Sequence, residues 1–546
     1  MKRRTFLKNL SVAGSGAVML GGMPIKALAG NDALKKIAGA ATNDHVLVFV
    51  QLHGGNDGLN TLIPIEQFEE YKKIRPNLYI PKTGPRAYLP LDDSLPSAQK
   101  AGLHPDMTGF KDLYTAGKAT VVHNVGYENM NLSHFRGRDI VFMGGGYDDT
   151  YASGWMGRFL DHEYPGYPDS YPSTEMPDPP GIEMSNALSL SFHRNNGIPI
   201  GFNVSSPQAF YDLISTVGLE EPPITFPDSH AGDELRYLME FEKKSNEYAG
   251  RLKQVYDAGS NSAVVYPETY AQNAPDRFLN NPLSGQLRLI ARLLKGGIKT
   301  RIFLCRIGLF DTHADQVMAG NTTMGGHAAL LNHLSGAIKA FQDDLASLGL
   351  EERVLTMTFT EFGRRAYSND SYGTDHGKST PVFLFGSGLK GGVYGDNPDL
   401  TDLDNGNTKY AIDYRQVYTS VVMDWFGASP EAMEATYFND WVNDRLDLIA
   451  GTGVQNTRRP VNGVHLKCAP NPVMSQVTFS IPMLRASKLH LQVVDVNGKL
   501  VDTVFAGKKE FGTAHITYNA ERLQAGNYVA LATVDGNTHT CRFIKH

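Results

Sequence analysis

The chain has 546 residues, of which 41% are apolar and 20% are charged, a composition typical of globular proteins. This length exceeds what a single hydrophobic core usually contains, so at least two domains are expected. The formal net charge is −6 at pH 7 and the chain has no long basic run, which argues against a nucleic-acid partner.

The first 29 residues have the three parts of an export signal. Residues 2–4 are basic, residues 10–23 are mildly apolar, and residues 27–29 (Ala-Leu-Ala) provide the small-x-small pattern of a cleavage site. The run Arg-Arg-x-Phe-Leu-Lys resembles a twin-arginine signal, which exports proteins that have already folded. No later segment contains about 18 consecutive apolar residues, so we expect an exported protein without a transmembrane segment after processing.

Five apolar runs predict the strands of a central sheet. They are residues 45–50, 119–122, 301–305 with Ile307 and Leu309, 354–359 and 381–385. Because apolar and polar residues do not alternate in these runs, both faces of the strands are expected to be buried. Residues 283–295 and 327–348 have apolar positions three and four apart, which predicts helices, the second ending at Gly349. The pattern predicts an α/β domain over residues 30–450, with a mostly parallel sheet sandwiched by helices.

Residues from about 145 to 275 interrupt this pattern. The stretch EYPGYPDSYPSTEMPDPPG is rich in Pro and Tyr and predicts irregular structure, whereas residues 233–257 predict an amphipathic helix. We interpret the region as an insertion that covers one end of the sheet and shapes a substrate entrance.

The composition changes again near residue 451. The sequence GTGVQNTRRPVNG predicts a linker over residues 451–463. In residues 464–546 apolar and polar residues alternate, and the Asn-Gly pair at 497–498 and the Asp-Gly pair at 535–536 are typical of two-residue hairpin turns. This last segment is therefore expected to form a small antiparallel β-sandwich.

Three cysteines are too few for a disulfide framework. Cys305 lies in an apolar run and is expected to be a small buried hydrophobe. Cys468 and Cys541 lie in the first and last predicted strands of the sandwich, where an oxidising compartment would permit a bridge; the sequence leaves this pairing open.

Acids and histidines gather at the ends of the predicted strands. In an open parallel sheet, ligands bind beyond the carboxyl ends of the strands. The side chains at this edge are His53 and Asp57 after the first strand, Asp311, His313 and Asp315 after the third, Glu361 and Arg364 after the fourth, and Asp375 and His376 before the fifth. Five carboxylates and three histidines at one edge would be unstable without a cation. Oxygen and imidazole ligands suit Zn, Mn or a similar divalent ion, so the edge predicts a metal centre.

Each of these motifs alone has a simpler interpretation. A lone Asp after a strand is commonly a turn residue or a helix cap, and a lone His is commonly structural. The convergence of four loops on one edge favours the metal centre. It predicts that Asp57, Asp311, Glu361 and His376 share one site.

Six segments resemble a known family. The segments QLHGGNDGLNTLIP, NLSHFRGRD, SGWMGRFLD, FDTHADQ, TEFGRRAYSNDSYGTDHG and LKGGVYG, between residues 45 and 395, resemble a family of exported bacterial proteins called domain of unknown function 1501. That family is similar to the alkaline phosphatase and sulfatase superfamily. The resemblance implies an alkaline phosphatase-like fold with one or two divalent ions (Zn, Mn, Ca or Mg) beside a nucleophile at a helix N-terminus.

The resemblance also implies roles for individual residues. Asp57 matches the first metal-binding acid of the superfamily, Asp311 with His313 or Asp315 matches the mid-chain ligands, and His376 matches a late histidine; Asp375 is a further candidate. Glu361 stands where the superfamily usually has an Asp followed by His. Here Phe362 follows instead and cannot bind a metal, so both one ion and an altered pair stay open.

Ser133 is the candidate nucleophile, because it opens a predicted helix whose N-terminus would favour an anionic group. Ser is also a common N-cap, and the neighbouring His134 is an alternative metal ligand or proton donor. Arg136 and Arg138 either clamp an anion or lie on the helix surface. His53 and Arg364 are further candidates for substrate binding.

The C-terminal segment resembles the sorting domain of type IX secretion cargo from Bacteroidetes. The resemblance rests on APNPV at 469–473, VVD at 493–495, LQAGNY at 523–528 and the terminal FIK. It implies the type IX secretion machinery as a partner and a location from the periplasm to the cell surface or the extracellular medium.

These observations favour a secreted, metal-dependent hydrolase of phosphate or sulfate esters, acting on a small molecule or a glycan. The alternative is a non-catalytic surface protein that keeps the fold and binds a glycan or a protein partner, which the missing histidine at Phe362 favours. A metal-free serine hydrolase is a weaker alternative, because no GxSxG motif occurs.

Overall fold

The structure is a computed structural model of the chain. It describes residues 43–215, 248–451, 466–483, 487–495, 499–510, 512–534 and 537–546, and a short antiparallel pair, Met19–Leu20 with Met23–Pro24. Apart from that pair, the predicted export signal lies outside the described residues. Most of the predicted linker and both predicted hairpin turns also lie outside them.

Nine strands in the described part of the chain form the central sheet. They are β1 (Val46–Leu52), β2 (Ala119–Gly126), β3 (Gly181–Glu183), β4 (Phe202–Asn203), β5 (Ile302–Ile307), β6 (Val354–Phe359), β7 (Thr380–Phe385), β8 (Gly392–Tyr394) and β9 (Ile412–Asp413). Eight of them follow the order β8-β2-β7-β6-β1-β5-β3-β4, and β9 pairs with β2. All pairings are parallel except those of β7 with β6 and β2, so the predicted, mostly parallel sheet is confirmed. Leu309, which the sequence placed in the third strand, lies in the loop after β5 with φ of 71°.

Ten helices surround the sheet within the described ranges, besides short 3-10 and π turns and the helical residues 248–258. They are α1 (Gly58–Thr61), α2 (Phe68–Ile74), α3 (Thr108–Thr115), α4 (His134–Met143), α5 (Trp155–Glu163), α6 (Pro207–Ser215), α7 (Pro282–Lys295), α8 (Gly326–Leu348), α9 (Tyr414–Ser420) and α10 (Pro430–Ala435). α8 ends at Gly349, which has the left-handed φ of 71° expected of a helix stop. None of these helices is long and apolar enough to cross a membrane.

The sheet separates two apolar cores. On β1, Val46, Val48 and Val50 pack in a core that includes residues of α3, α7 and α8, whereas Leu47 and Phe49 pack in one that includes α4, α5 and α9. Successive side chains of a strand point to opposite faces, so helices on both sides require apolar residues throughout. This is why the strands appear in the sequence as unbroken apolar runs.

The reversed direction of β7 shapes the functional edge. Because β7 is antiparallel to β6, its first residue lies at the edge where β1, β5 and β6 end. A two-stranded ribbon, Gly363–Arg364 with His376–Gly377, also ties the residues after β6 to those before β7. The loops after three strands and the loop before a fourth therefore meet at one place.

The region of residues 145–275 is only partly the irregular insertion that the sequence predicted. Residues 164–180 contain no helix or strand, as expected. However, α5 buries Trp155 and Phe159 in the core, and β3 and β4 extend the sheet beside β5. Of the predicted helix 233–257, only residues from 248 onward are described, and these are helical through 258.

Seven strands in the described residues form the C-terminal sandwich. They are β10 (Lys467–Ala469), β11 (Gln476–Met483), β12 (Ser487–Asp495), β13 (Leu500–Lys509), β14 (Gly512–Asn519), β15 (Gly526–Val534) and β16 (Asn537–Lys545). One sheet has the order β10-β11-β14 and the other β13-β12-β15-β16, with every pairing antiparallel, as predicted. Side chains from both sheets, among them Phe479, Leu491 and Phe543, form a separate core.

A disulfide joins Cys468 and Cys541, the pairing that the sequence left open, and Cys305 is free and buried. The bridge closes a segment with a sequence separation of 73. A cross-link over a segment of this length restricts the unfolded chain far more than the folded one.

Reduction should therefore destabilise the sandwich by about 2–4 kcal/mol. Calorimetry of the full chain with and without reductant should show a lower unfolding temperature for the sandwich and no change for the large domain. The Cys468→Ser, Cys541→Ser double variant is the control, because it should not respond to reductant. A wild-type sandwich transition that does not move on reduction would contradict this prediction.

Candidate metal centre

Three side chains from distant parts of the sequence present ligand atoms to one point. His134 is the first residue of α4, Asp311 lies in the loop after β5, and His376 lies in the ribbon before β7. One ligand atom from each lies within 4.8 Å of the other two. The structure thus brings Asp311 and His376 together at the predicted edge, with His134 as the third member.

Both nitrogens of the His134 ring face carboxylates. Nδ1 lies 2.9 Å from Oε1 of Glu361, which also accepts a hydrogen bond from the backbone N–H of Gly54 at 2.8 Å. An ionised carboxylate can only accept, so Nδ1 is the protonated nitrogen. Nε2 lies 3.3 Å from Oδ2 of Asp311 but is buried and has no hydrogen-bond partner among the described residues. The ring is thus held at Nδ1 and leaves Nε2 unsatisfied.

Glu361 is fully buried beneath His134. Burial raises the pKa of the Glu361 carboxyl, but the hydrogen bonds from His134 and Gly54 outweigh it and leave this pKa below its usual range. In return, the hydrogen bond to Glu361 raises the pKa of His134 against the effect of its own burial. Glu361 therefore orients the imidazole rather than facing solvent itself.

His376 is held in the same way. Its Nδ1 lies 2.8 Å from the backbone oxygen of Leu132, which can only accept a hydrogen bond, so Nδ1 carries the proton. Its Nε2 lies 3.2 Å from Oδ1 of Asp311. Burial lowers the pKa of His376 and favours the neutral ring, whose Nε2 is an acceptor.

His313 and Asp375 form the solvent side of the cluster. His313 Nε2 lies 3.1 Å from Oδ1 of Asp311, and its Nδ1 lies 3.2 Å from Oδ1 of Asp375. Asn369 donates to the backbone oxygen of His313 at 3.0 Å and to Asp375 at 3.3 Å, which joins the two loops. The side chain of His313 is 45% exposed, so a substrate can reach this ring.

Arg364 supports the cluster from the buried side. Its guanidinium donates to Oδ1 of Asp311 at 2.6 Å and to the backbone oxygens of Gly54, Gly55, Phe310 and Thr374. Burial raises the pKa of Asp311, but Arg364 overcomes this effect and lowers that pKa to about 2. The sequence suggested Arg364 as a substrate-binding residue. The structure corrects this, because the guanidinium donates its hydrogen bonds to groups of the protein itself.

The cluster fits a divalent cation. Each ring holds a proton on Nδ1 and directs Nε2 at the ionised Asp311, and an Nε2 without a proton is an acceptor. Acceptors that face one another repel unless a proton or a cation lies between them. The buried Nε2 of His134 has no hydrogen-bond partner among the described residues and so suits a metal ligand, and a carboxylate behind a histidine is the usual support of a metal-binding imidazole. Two nitrogens and one oxygen suit Zn or Mn.

Asp57 has other partners, contrary to the metal-binding role that the sequence assigned to it. Its Oδ2 accepts hydrogen bonds from Arg75 at 2.6 Å and from Gln316 at 2.5 Å, and neither Asp57 nor Arg75 is exposed. Burial raises the pKa of Asp57, but the charge and hydrogen bond of Arg75 outweigh it and leave this pKa below its usual range. A guanidinium therefore supplies the positive charge that the sequence assigned to an ion.

Ser133 occupies the N-cap position of α4 and is exposed. Its side chain makes no capping hydrogen bond, and no hydrogen bond joins it to the cluster in the described part of the chain. Successive residues of a helix point in directions about 100° apart, so the side chain that reaches Asp311 and Glu361 is that of His134.

Asp315 and Arg136 also have partners outside the cluster. The side chain of Asp315 is 59% exposed and pairs with Arg277 at 3.1 Å. Arg136 donates to the backbone oxygens of Tyr147, at 3.0 Å, and Asp149. The metal role predicted for Asp315 and the anion-binding role predicted for Arg136 are corrected, because each charge is already engaged elsewhere on the surface.

His53 lies beside the cluster, with its ring centroid 6.3 Å from that of His134. Burial lowers the pKa of His53, while the nearby Glu361 raises it. The next residue, Gly54, has φ of 124°, and a Cβ there would lie 2.3 Å from the backbone nitrogen of Asp311. Only glycine permits the loop after β1 to come this close.

Sequence reasoning missed two basic residues of this region. Arg75 follows α2 in a polar segment, KKIRPN, that gives no sign of a buried partner. Arg306 lies within β5, an otherwise apolar strand. A charged residue in an otherwise apolar strand could have pointed to this site, because such a residue is rarely placed there without a local role.

Two segments of the chain match known families. Residues 226–425 match the family described as Protein of unknown function (DUF1501). Residues 467–546 match the Secretion system C-terminal sorting domain, which indicates a secreted or cell-surface protein. Both resemblances drawn from the sequence are thus confirmed. Asp311, Glu361 and His376 lie within the first match, whereas His53 and His134 precede it. No curated protein matches the chain.

Several solved structures are similar at low identity. The PsFucS1 sulfatase from Pseudoalteromonas sp. has 11% identity and a TM-score of 0.36, covering 92% of this chain and 89% of its own. A protein in the alkaline phosphatase superfamily from Vibrio parahaemolyticus has 8% identity and a TM-score of 0.32, covering 88% and 81%. PorZ, a surface component of the type-IX secretion system of Porphyromonas gingivalis, has 23% identity and a TM-score of 0.12. The match covers 18% of this chain, which spans 13% of PorZ.

Replacing Arg75 by Ala should lower the free energy of unfolding by about 3–5 kcal/mol at neutral pH, because Asp57 loses its charge partner in a buried place. The folded-state pKa of Asp57 lies below its ordinary value, so the pair stabilises the fold above about pH 4. This contribution is lost as the pH falls through the folded-state pKa.

The destabilisation by Arg75→Ala should therefore shrink between about pH 7 and pH 3 in denaturant unfolding experiments. The Asp57→Asn, Arg75→Ala double variant serves as the control, since it has no buried charge to titrate. An Arg75→Ala effect of equal size at both pH values would show that the ion pair does not act as described.

Proposed function

We propose that this secreted protein is a metal-dependent hydrolase of phosphate or sulfate esters. The arrangement of His134 and His376 carries the proposal: each ring is fixed through Nδ1 and directs Nε2 at the Asp311 carboxylate. The resemblance of the motifs to the alkaline phosphatase and sulfatase superfamily supports the ester class. The sorting-domain match supports action at the cell surface or outside the cell.

A divalent ion held by His134, Asp311 and His376 would supply Lewis acidity toward an ester oxygen. The protein's own residues prepare the site. Glu361 fixes the His134 ring, and Arg364 fixes Asp311 and keeps it ionised. Because Arg364 and Arg75 already neutralise two of the acids, we propose a single ion rather than a pair.

His313 is the proposed proton donor to the leaving group. It is the most exposed of the three rings around Asp311, and its Nδ1 lies 3.2 Å from Oδ1 of Asp375, which orients the ring. A protonated Nε2 can pass its proton to a departing oxygen. Ser133 has no hydrogen bond to a base among the described residues, so a water molecule is favoured over Ser133 as the nucleophile.

A non-catalytic surface protein is the second candidate, and one observation favours it. The ring of Phe362 lies 4.8 Å from His134 and 4.6 Å from His376, so an apolar side chain occupies space next to the cluster. A site with one metal and an apolar neighbour could bind an anionic glycan or protein without hydrolysing it.

Purified protein loaded with Zn or Mn should contain about one ion per chain by elemental analysis. His376→Ala and His134→Ala should each lose most of it, since each removes one of three ligands. His490→Ala, an exposed histidine of the sandwich, should keep it. Equal metal content in all three variants would contradict the proposed metal centre.

Turnover of arylphosphates and arylsulfates tests the assigned roles. His313→Ala should lower kcat by roughly 10²- to 10⁴-fold, as expected for loss of a general acid, without loss of metal. Ser133→Ala should retain activity within about tenfold; complete loss would instead identify Ser133 as the nucleophile. If metal-loaded wild type turns over none of these esters, the non-catalytic candidate is preferred.

A further inference from the structure

Four side chains with unused hydrogen-bond donors lie beside the metal centre. Gln51 and His53 stand at the end of β1, Arg306 in β5 and Arg138 in α4. No side-chain nitrogen of these four has a hydrogen-bond partner within the described ranges; the nearest is the Arg138–Asp139 pair at 3.8 Å, which is too long for a hydrogen bond. Of the four, Gln51 is the buried one, and its donor needs an acceptor that water does not readily supply.

The strand register puts Gln51 and Arg306 side by side. They are partners in the parallel pairing of β1 with β5, as are Phe49 and Leu304 two residues earlier. Phe49 and Leu304 pack in the core that contains α4, so Gln51 and Arg306 point to that same face. Gln51 is only 4% exposed, yet its Nε2 has no hydrogen-bond partner. A buried amide donor of this kind is costly unless a bound group accepts from it.

α4 brings Arg138 to the same face. The helix begins at the functional edge with His134, opposite His53, and Phe142 near its other end packs on Phe359 of β6, with centroids 5.6 Å apart. One helical turn from His134 to Arg138 covers about 6 Å, and the two residues from His53 back to Gln51 cover about 6.6 Å. Arg138 therefore stands near the level of Gln51 and Arg306.

The electrostatics agree with this placement. Burial and then Arg138 lower the pKa of Arg306, and both arginines add to the effect of burial in lowering the pKa of His53. The acids that face Arg306 are Glu183 and Glu361, and both carboxylates already accept backbone hydrogen bonds. Both guanidinium groups lie on this face and remain accessible to solvent, and no carboxylate among the described residues lies within hydrogen-bond distance of either one.

We infer that Gln51, Arg138 and Arg306 form a subsite for an oxyanion, with His53 between it and the metal centre. Two arginine donors and one amide donor match the several acceptor oxygens of a sulfate, phosphate or carboxylate group. What the subsite implies about the substrate rests on the proposed function. The ester would carry a second anionic group next to the bond that is cleaved. Its preferred substrates would be polyanionic esters rather than simple monoesters.

Calorimetric titration of the full chain, freed of metal by EDTA, with inorganic sulfate tests the subsite. Arg306→Gln and Arg138→Gln should each weaken sulfate binding at least about tenfold, as expected for loss of a charge-assisted hydrogen bond. Arg288→Gln, a change of an exposed arginine on α7, is the matched control and should bind as wild type does. Unfolding temperatures of the variants establish that they are folded.

The position of the anion is decided by His376→Ala. Sulfate binding that is lost in this variant but kept in Arg306→Gln would place the anion on the histidine cluster and overturn the subsite. Equal binding in wild type and both arginine variants would also overturn it. Arylsulfate and arylphosphate turnover is measured separately. If sulfate binding depends on Arg306 but no ester is turned over, the hydrolase is refuted and the subsite is kept. If esters are turned over but sulfate binding does not depend on Arg306, the subsite is refuted and the hydrolase is kept.

Discussion

Charge neutralisation of carboxylates at the end of the sheet is the constraint on which this site depends. Asp311 is held by Arg364 and Asp57 by Arg75, each at 2.6 Å. Buried or half-buried carboxylates without such partners would be protonated or would destabilise the fold. Since arginines supply these two charges, the point between His134, Asp311 and His376 is where the described residues place ligand atoms for a cation.

The second constraint on the site is the fixed orientation of its imidazole rings. His134 is tied to Glu361 and His376 to the backbone at Leu132, so neither ring can turn its Nε2 away from Asp311 without losing a hydrogen bond. The reversed strand β7 makes this geometry possible, because it brings the loop that carries His376 to the edge where β1, β5 and β6 end.

The candidate metal centre lies next to the three side chains of the inferred oxyanion subsite, Gln51, Arg138 and Arg306. His53 connects them, since it lies near His134 on one side and two residues from Gln51 on the other. In the proposed function, this layout separates two tasks: the cluster would handle the reacting group, and the arginines Arg138 and Arg306 would recognise charge beside it. Remote binding groups of this kind improve an enzyme when they position a substrate for reaction.

The sequence by itself determined five of the nine described strands of the central sheet, the long helix α8, the antiparallel C-terminal sandwich and the edge at which acids and histidines collect. These features follow from local periodicity and from the rule that ligands bind beyond strand ends. Only the tertiary structure decided that Asp57 pairs with Arg75, that His134 rather than Ser133 faces Asp311, and that Cys468 meets Cys541. The reason is physical: hydrophobic periodicity reports which way a residue faces, whereas the partner of a charged side chain depends on crossovers and strand register between segments that are far apart in the chain.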